Sequence, residues 1–200
     1  MPILHLVAGP NGAGKTTFVQ TVLQPATHLP FVNADMIATA RWPGAEVENA
    51  YLAAQVAAEQ RNSLLAARQS FIAETVFSHE SKVELAGLAN QHGYLVELHV
   101  ILIPETIAVP RVQSRVANGG HQVPTEKVIA RYHRLFPLVL KAQRLVDRTT
   151  YYDNSSASKP FRIVAQAEYG QWIGKPNWPG WTPEVLTGAH RDTVGHSLDP

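Results

Sequence analysis

Residues 9–16 constrain the fold of this chain more than any other segment. They read Gly-Pro-Asn-Gly-Ala-Gly-Lys-Thr, which matches the P-loop pattern G-x-x-x-x-G-K-[ST]. The apolar run from Ile3 to Ala8 precedes them and a helix-compatible segment from Thr17 to Leu23 follows, so the loop joins a strand to a helix as the pattern requires. A glycine turn that merely packs a strand against a helix would not need Lys and Thr at this offset. The segment therefore predicts a site for a nucleoside triphosphate.

The chemistry of this P-loop follows from its residue types. Its three glycines let backbone N–H groups converge on phosphate oxygens, and the N-terminus of the following helix adds partial positive charge. Lys15 supplies an ammonium group for the β- and γ-phosphates, and Thr16 supplies a hydroxyl for Mg²⁺. The residues predicted to bind nucleotide here are Gly9, Pro10, Asn11, Gly12, Ala13, Gly14, Lys15, Thr16 and Thr17.

The composition narrows the class of protein. The chain has 200 residues, 45% of them hydrophobic, which suits one α/β domain. Its net charge of +1 gives no overall field for nucleic acid or membranes, so we expect neither as a partner. The absence of cysteine excludes thiolate chemistry and fits a reducing compartment. Because there is no signal-like N-terminus and no apolar run of about 20 residues, we expect a cytoplasmic protein.

Five apolar runs separated by helical patterns predict an α/β fold, with a five-stranded parallel sheet and helices on both faces. The runs are Ile3 to Ala8, Phe31 to Ala34, Ser70 to Ala73, Leu95 to Ile103 and Phe161 to Ala167. No repeat or linker divides them, so we expect one domain over residues 1–170. Residues 171–200 form a tail rich in Trp and Pro, which we expect to pack on the core or on a partner.

Two acidic residues follow predicted strands at the edge where open α/β sheets bind their ligands. Asp35 ends the second run, and Glu74 and Thr75 end the third. A carboxylate at the position of Asp35 can accept a proton from a substrate hydroxyl or hold Mg²⁺ through water, but it can also cap the following helix. Glu74 is either a second acid beside metal or substrate, or a buried structural residue.

Basic residues cluster on two predicted helices that flank a glycine-rich connector, residues 118–124. These residues are Arg111 and Arg115 on the first helix, and Lys127, Arg131 and Arg134 on the second. Beside a P-loop, this arrangement predicts a helical lid over about residues 111–134 that closes on a transferring phosphoryl group, because guanidinium groups hold two phosphate oxygens at once. The alternative is two solvated helix faces.

Two further polar residues are candidates for ligand contact. His121 lies in the connector and is a candidate contact to nucleotide or substrate; the other histidines show no metal-ligand spacing, and no H-E-x-x-H motif occurs. The segment Tyr152-Asp153-Asn154-Ser155 precedes the last predicted strand and by itself indicates a turn. This position lies near the adenine pocket in P-loop kinases, so Asn154 is a candidate contact to the base.

Taken in order, these segments resemble the zeta-toxin family of P-loop kinases, and most of all its compact chromosomal branch. The resemblance runs from about residue 3 to residue 168, and its most distinctive part is Gly-Gly-His-x-Val-Pro at residues 119–124. The other matching segments are residues 9–17, 31–35, 72–75, 111–116, 131–134 and 152–155. In one place the chain departs from the family, with Val76 where the family has a further Thr.

The resemblance implies a kinase fold with strand order 2-3-1-4-5, ATP and Mg²⁺ as cofactors, and a hydroxyl acceptor such as UDP-N-acetylglucosamine. It also allows for an antitoxin-like protein partner. The implied roles are phosphate and metal binding for Lys15 and Thr16, general base for Asp35, and phosphoryl contact for the paired arginines Arg115 and Arg131. The implied substrate-binding residues, besides Asp35, are Glu74, Thr75, His121 and Arg134.

Other functions fit parts of the same pattern. A polynucleotide or nucleoside kinase would need the same residues for a different hydroxyl acceptor, although the chain lacks interleaved aromatic and basic stretches for strand binding. A non-catalytic nucleotide-binding regulator would use the lid to contact a partner. A GTPase is disfavoured because no N-K-x-D motif occurs. The sequence therefore favours an ATP-dependent small-molecule kinase and leaves its acceptor open.

Overall fold

The computed structural model describes residues 1–117 and 123–195, apart from the side chains of residues 115–117 and 190–195. Within this part of the chain, one sheet has the strand order β2-β3-β1-β4-β5-β6-β7. Its strands are β1 (Ile3–Ala8), β2 (Phe31–Val32), β3 (Phe71–Thr75), β4 (Leu95–Leu102), β5 (Arg148–Asp153), β6 (Arg162–Glu168) and β7 (Gln171–Trp172).

All helices except the last lie between parallel strands that follow one another in the sequence. The first is continuous over α1 (Lys15–Phe18), a π-helical turn (Val19–Leu23) and α2 (Gln24–Thr27). The others are α3 (Ala34–Arg41), α4 (Ala50–Ala66), α5 (Ser81–Gln91), α6 (Glu105–Ala117), α7 (Thr125–Gln143) and α8 (Glu184–Gly195). None of the helices in the described ranges is long and apolar enough to cross a lipid bilayer.

Strands β1 and β4 form the centre of the sheet because both are apolar and have helices on both sides. Leu4, Leu6 and Val100 are fully buried. Two adjacent tyrosines of β5 show that helices cover both faces of the sheet, since successive side chains of a strand point to opposite faces. Tyr151 donates from its hydroxyl to Gln143 of α7 at 2.7 Å, whereas the ring of Tyr152 packs on Phe18 of α1. Helices on both faces are therefore confirmed.

The prediction of a five-stranded sheet is wrong, because the sheet of the described residues has seven strands; its parallel part has five strands, in the predicted order 2-3-1-4-5. β2, β3, β1, β4 and β5 are parallel neighbours. The fifth parallel strand is β5, in a segment where the sequence indicated a turn. The run predicted as the fifth strand is β6, which is antiparallel to β5 because the connection over residues 154–161 is too short for a parallel crossover.

The segment after residue 170 packs on the same core. β7 adds a short antiparallel strand to β6. Trp172 and Trp178 contact each other and the fully buried ring of Tyr151, with ring centroids 5.3–5.8 Å apart. Leu186 of α8 is also fully buried. The aromatic side chains of this segment thus cover one face of β5, which the sheet alone would leave open to water.

Candidate active site

The candidate active site lies at the carboxyl ends of the parallel strands. The P-loop (residues 9–16) follows β1, which pairs with β3 on one side and β4 on the other. Val7 is in register with Glu74 at the end of β3, so the P-loop and this carboxylate reach the same edge of the sheet. A cavity of about 480 Å³ opens there between the P-loop, α3, α4, α5 and the arginines of α6 and α7.

Two glycines explain why the P-loop can take its shape. A Cβ on Gly9 would lie 2.5 Å from the carbonyl oxygen of Ile101, so only glycine lets the loop pass this close to β4. Gly14 has a φ of 86° and precedes the first residue of α1, and a Cβ there would lie 2.7 Å from the amide nitrogen of Asn154. The positive φ and the missing side chain together expose backbone N–H groups at a helix N-terminus, which is an anion-binding arrangement.

Lys15 begins α1 and is buried, with 7% of its surface exposed. Its ammonium group donates a hydrogen bond of 3.0 Å to the carbonyl oxygen of Pro10 within the same loop. Lys15 also lines the cavity. A lysine side chain held against its own loop keeps a positive charge close to the exposed N–H groups, as binding of a polyphosphate requires.

Three hydrogen-bonded side chains, from α1, the end of β2 and the end of β3, meet at the floor of the cavity. The hydroxyl of Thr16 donates to Oε2 of Glu74 at 2.8 Å, and the side-chain amide of Asn33 donates to the same oxygen at 2.6 Å. Glu74 thereby accepts two hydrogen bonds on one oxygen. The P-loop helix, the end of β2 and the end of β3 are tied together through this carboxylate.

Asn33, not Asp35, caps helix α3. The Oδ1 atom of Asn33 accepts a hydrogen bond of 3.0 Å from the backbone N–H of Met36, as an N-cap residue does. Asp35 lies in the first turn of α3, is exposed, and lines the cavity. The capping role that the sequence also allowed for Asp35 therefore belongs to Asn33, and the carboxylate of Asp35 lines the same cavity as Thr16.

Besides Lys15, four cationic side chains line the cavity: Arg61 of α4, Lys82 of α5, Arg111 of α6 and Arg131 of α7. Burial lowers the pKa of Arg61, and burial followed by the charge of Arg61 lowers the pKa of Lys82. Neither has an ion-pair partner among the side chains that the structure describes. Two partly buried cations that repel each other favour an anion in this part of the cavity.

The predicted lid residues are only partly within the described region. Arg131 lines the cavity, whereas Arg134 is exposed and is not part of its lining. The backbone of Arg115 lies in α6, but its side chain, like the whole of His121, lies outside the described residues. The roles predicted for these residues and the closing motion of the lid remain predictions.

Asn154 contacts the P-loop itself. Its side-chain amide donates a hydrogen bond of 2.8 Å to the carbonyl oxygen of Ala13, and its own carbonyl oxygen accepts one of 3.0 Å from Arg111. The end of β5 thus supports the P-loop from behind and ties it to the start of the predicted lid. A contact from Asn154 to the nucleotide base remains a prediction.

The amino-acid sequence identifies the family of this chain. The model of the AAA domain family AAA_33 matches residues 4–139, from β1 into α7. The chain belongs to this family. No curated protein sequence matches the chain.

Three solved structures share the fold of this AAA domain. A chain of the AvrRxo1-ORF1–ORF2 complex has 16% identity and a TM-score of 0.70, covering 95% of this chain and 64% of that chain. A chain of the PezAT chromosomal toxin–antitoxin system of the human pathogen Streptococcus pneumoniae has 13% identity and a TM-score of 0.60, covering 100% and 88%. A gluconokinase from Sinorhizobium meliloti 1021 has 15% identity and a TM-score of 0.51, covering 99% and 98%. This chain therefore spans about two thirds of the AvrRxo1 chain, and the likenesses establish a P-loop kinase type of fold.

Sequence reasoning missed three residues of this AAA domain site. Asn33 precedes Asp35 by two residues and carried a local signal as a helix-capping residue type at a strand end. Arg61 and Lys82 carried none, because each is one charged residue among several on a helix. Only the packing of α4 and α5 beside the P-loop brings these two cations to the cavity.

Proposed function

We propose that this AAA domain protein is an ATP-dependent kinase that transfers the γ-phosphoryl group to a hydroxyl of an anionic small molecule. One observation carries the proposal: Lys15 and Thr16 of the P-loop share one cavity with the carboxylates of Asp35 and Glu74 and with Arg131. Phosphoryl transfer needs a phosphate cradle, a metal, a group that orients the acceptor hydroxyl, and a cation for the developing charge. Each need has a candidate residue in this cavity.

The donor side is formed by the P-loop. The exposed N–H groups and Lys15 would hold the β- and γ-phosphates, and the hydroxyl oxygen of Thr16 would ligate Mg²⁺. The ion fits the residues present, because a hydroxyl and two nearby carboxylates are the hard oxygen donors that Mg²⁺ prefers. When bound, Mg²⁺ neutralises charge on the phosphates. The Thr16 hydroxyl already donates its proton to Glu74, so the lone pairs of its oxygen would be available to ligate the ion.

The acceptor side lies towards α3, α4 and α5. Asp35 is exposed to the cavity, so it can accept the proton of an acceptor hydroxyl as the bond to phosphorus forms. Arg131 reaches the cavity from α7 and would stabilise charge on the transferring group, with Arg115 as its predicted partner.

Arg61 and Lys82 favour an acceptor that is itself negatively charged. They are partly buried, and burial of two repelling cations is costly unless an anion joins them. A phosphorylated acceptor would supply that anion. This supports a nucleotide sugar such as UDP-N-acetylglucosamine, the acceptor implied by the resemblance to zeta toxins, over a neutral nucleoside.

A transfer assay tests the proposal. The protein is incubated with γ-labelled ATP, Mg²⁺ and, in separate reactions, UDP-N-acetylglucosamine, a nucleoside, gluconate or a 5′-hydroxyl oligonucleotide, and products are identified by mass. We expect label on an anionic hydroxyl compound. Label on the oligonucleotide would indicate a polynucleotide kinase instead. If the protein binds ATP but labels none of these compounds and none of the compounds in a metabolite extract, it is better explained as a non-catalytic nucleotide-binding regulator.

Two variants test the choice of an anionic acceptor. Arg61→Gln should raise KM for an anionic acceptor at least tenfold with little effect on KM for ATP, because it removes a cation from the acceptor side only. Arg41→Gln, an exposed cation at the end of α3 outside the cavity lining, is the matched control and should change neither. If Arg61→Gln and Arg41→Gln have the same KM for the anionic acceptor, the argument for an anionic acceptor fails.

An antitoxin-like protein partner is a second part of the proposal. It is supported by the resemblance to zeta toxins and by two similar structures that are described as a two-component complex and as a toxin–antitoxin system. Co-expression with the product of the neighbouring gene, followed by size-exclusion chromatography, tests it. A stable complex with reduced transfer activity is expected; two separate proteins would contradict this part of the proposal and leave the kinase assignment in place.

A further inference from the structure

Two histidines and a glutamate meet on the sheet face covered by α1, away from the P-loop edge. His5 lies near the start of β1, and Glu97 and His99 lie on the neighbouring strand β4. His5 is in register with Glu97, and the alternation of a strand puts Glu97 and His99 on one face. Both histidines are buried, each with 6% of its surface exposed. The kinase mechanism uses none of the three.

The donor atoms of these side chains converge on one point. Nδ1 of His5 lies 3.1 Å from Nε2 of His99 and 3.4 Å from Oε2 of Glu97, and the last two atoms are 3.7 Å apart. In a tetrahedral zinc site, ligand atoms about 2.0–2.1 Å from the ion are about 3.3–3.4 Å from one another. The three separations scatter around this value, so an ion fits between the donors with small side-chain adjustments.

Neighbouring residues orient the ligands. Nδ1 of His99 lies 3.2 Å from the hydroxyl of Tyr152, which leaves Nε2 to face Glu97 and His5. A hydrogen bond to the second imidazole nitrogen is the usual support of a metal-bound histidine. Arg148 lies 3.9 Å from Oε1 of Glu97, the oxygen that points away from the cluster. The side chain of Glu97 is 24% exposed, which opens the cluster to solvent on one side.

We propose that His5, Glu97 and His99 form a site for a zinc-like divalent metal ion, with water in the fourth position. Two nitrogens and one carboxylate oxygen suit Zn²⁺ far better than Mg²⁺, which prefers oxygen ligands in an octahedral arrangement. The ion would join the two central strands, β1 and β4, close to Phe18 of the helix that follows the P-loop. Its expected effect is therefore stabilisation of the fold, independent of any phosphoryl transfer. The competing state is a metal-free triad in which His5 donates to both neighbours.

Metal binding is measured on the full chain without an affinity tag. Chelator-treated protein is dialysed against Zn²⁺ in the presence of excess Mg²⁺, which saturates oxygen-rich sites such as the P-loop, and bound zinc is counted by mass spectrometry. We expect one tightly bound ion per chain, a higher Tm with Zn²⁺ than with chelator, and the visible absorption of tetrahedral Co²⁺ when cobalt replaces zinc. No tightly bound zinc, or cobalt spectra typical of octahedral surface binding, would overturn the proposal.

Variants identify the ligands. Glu97→Gln keeps the size of a partly exposed side chain, so the variant should fold, and it should weaken Zn²⁺ binding more than the roughly 10–100-fold typical of losing a supporting hydrogen bond. Tyr152→Phe should weaken binding by about 10–100-fold. The matched control is His133→Gln, which removes a histidine from an exposed His–Glu pair with 3.3 Å between His133 and Glu105. Equal zinc affinity in Glu97→Gln and His133→Gln would assign the metal to surface histidines and refute the site.

Discussion

The hydrogen bond from Asn33 to Glu74 offers the sharpest test of how the site is held together. Asn33 uses its two side-chain ends separately: Oδ1 caps α3, and the amide nitrogen donates to Oε2 of Glu74 at 2.6 Å. Asn33→Asp keeps the cap, because Asp and Asn cap helices about equally well. It replaces the amide donor by a carboxylate directly beside another carboxylate. The substitution therefore changes the contact to Glu74 and little else.

The expected cost follows from the distance. A hydrogen bond to a charged group is worth about 1.5–3 kcal/mol. Two unit charges 2.6 Å apart repel by about 6 kcal/mol at an effective dielectric constant of about 20. The two carboxyl groups avoid that repulsion when one of them stays protonated. Keeping a proton at pH 7.5 on a carboxyl group with an ordinary pKa near 4 costs up to about 5 kcal/mol. After relaxation we expect a loss of about 3–5 kcal/mol at pH 7.5 and about 1–2 kcal/mol at pH 5.

The pH dependence has a definite sign. Between pH 5 and 7.5 the folded variant holds a proton that the unfolded chain has released, so its free energy of unfolding falls as the pH rises. Urea denaturation of the wild-type protein and the variant at both pH values measures this difference. Adding Glu74→Gln exchanges donor and acceptor, and should recover about 2–3 kcal/mol at pH 7.5. A pH-independent effect, or no recovery in the double variant, would refute the assigned contact.

Three further predictions concern other parts of the molecule. Lys15→Ala should abolish phosphoryl transfer in the labelled-ATP assay and, because this lysine is buried rather than exposed, lower Tm by a few degrees while the fold persists by circular dichroism. Arg131→Ala should lower kcat by about 10²–10³ with a smaller change in ATP affinity by calorimetry, since its charge matters most during transfer. Trp178→Ala should reduce the free energy of unfolding by about 2–4 kcal/mol in urea, because the indole is partly buried against Tyr151.

Sequence patterns predicted the parts of the structure that depend on residues close together in the sequence. The P-loop needs glycines, a lysine and a hydroxyl at fixed offsets, and the order of apolar runs and helices defines the parallel strands. Asp35 and Glu74 were found because parallel strands end at one edge. β5 was missed because Arg-Thr-Thr-Tyr-Tyr-Asp contains no aliphatic residue. Its burial comes from Gln143 of α7 and from the tryptophans that follow β6.

The remaining features arise only in three dimensions. Arg61 and Lys82 meet because α4 and α5 pack beside the P-loop, which no spacing along the chain encodes. The histidine cluster was missed for a similar reason. Glu97 and His99 are two residues apart on a strand, but His5 joins them through the register of β1 with β4, across 94 residues. Metal motifs recognised by spacing are those confined to one helix or loop, and a site built across strands has no such signature.

The catalytic assignment of Asp35 depends on one substitution whose interpretation the structure makes simpler. Since Asn33 caps α3, loss of charge at Asp35 should leave the helix intact, and among the described backbone groups and side chains its carboxylate has no hydrogen-bond partner. Asp35→Asn should therefore change the free energy of unfolding by less than about 0.5 kcal/mol. General-base catalysis typically contributes 10²–10⁴-fold, so transfer to the acceptor should fall by about that factor.

The same variant separates the two roles that remain possible for a carboxylate at this position. If Asp35 is the general base, affinity for ATP and Mg²⁺ stays close to that of the wild-type protein while transfer is lost. If Asp35 helps to hold the metal, affinity for Mg²⁺ falls together with the rate, because the carboxylate then contributes to the ground state. A titration of Mg²⁺ in the presence of ATP and one rate measurement distinguish these outcomes. If Asp35→Asn has the Mg²⁺ affinity and the transfer rate of the wild-type protein, Asp35 has no part in the mechanism.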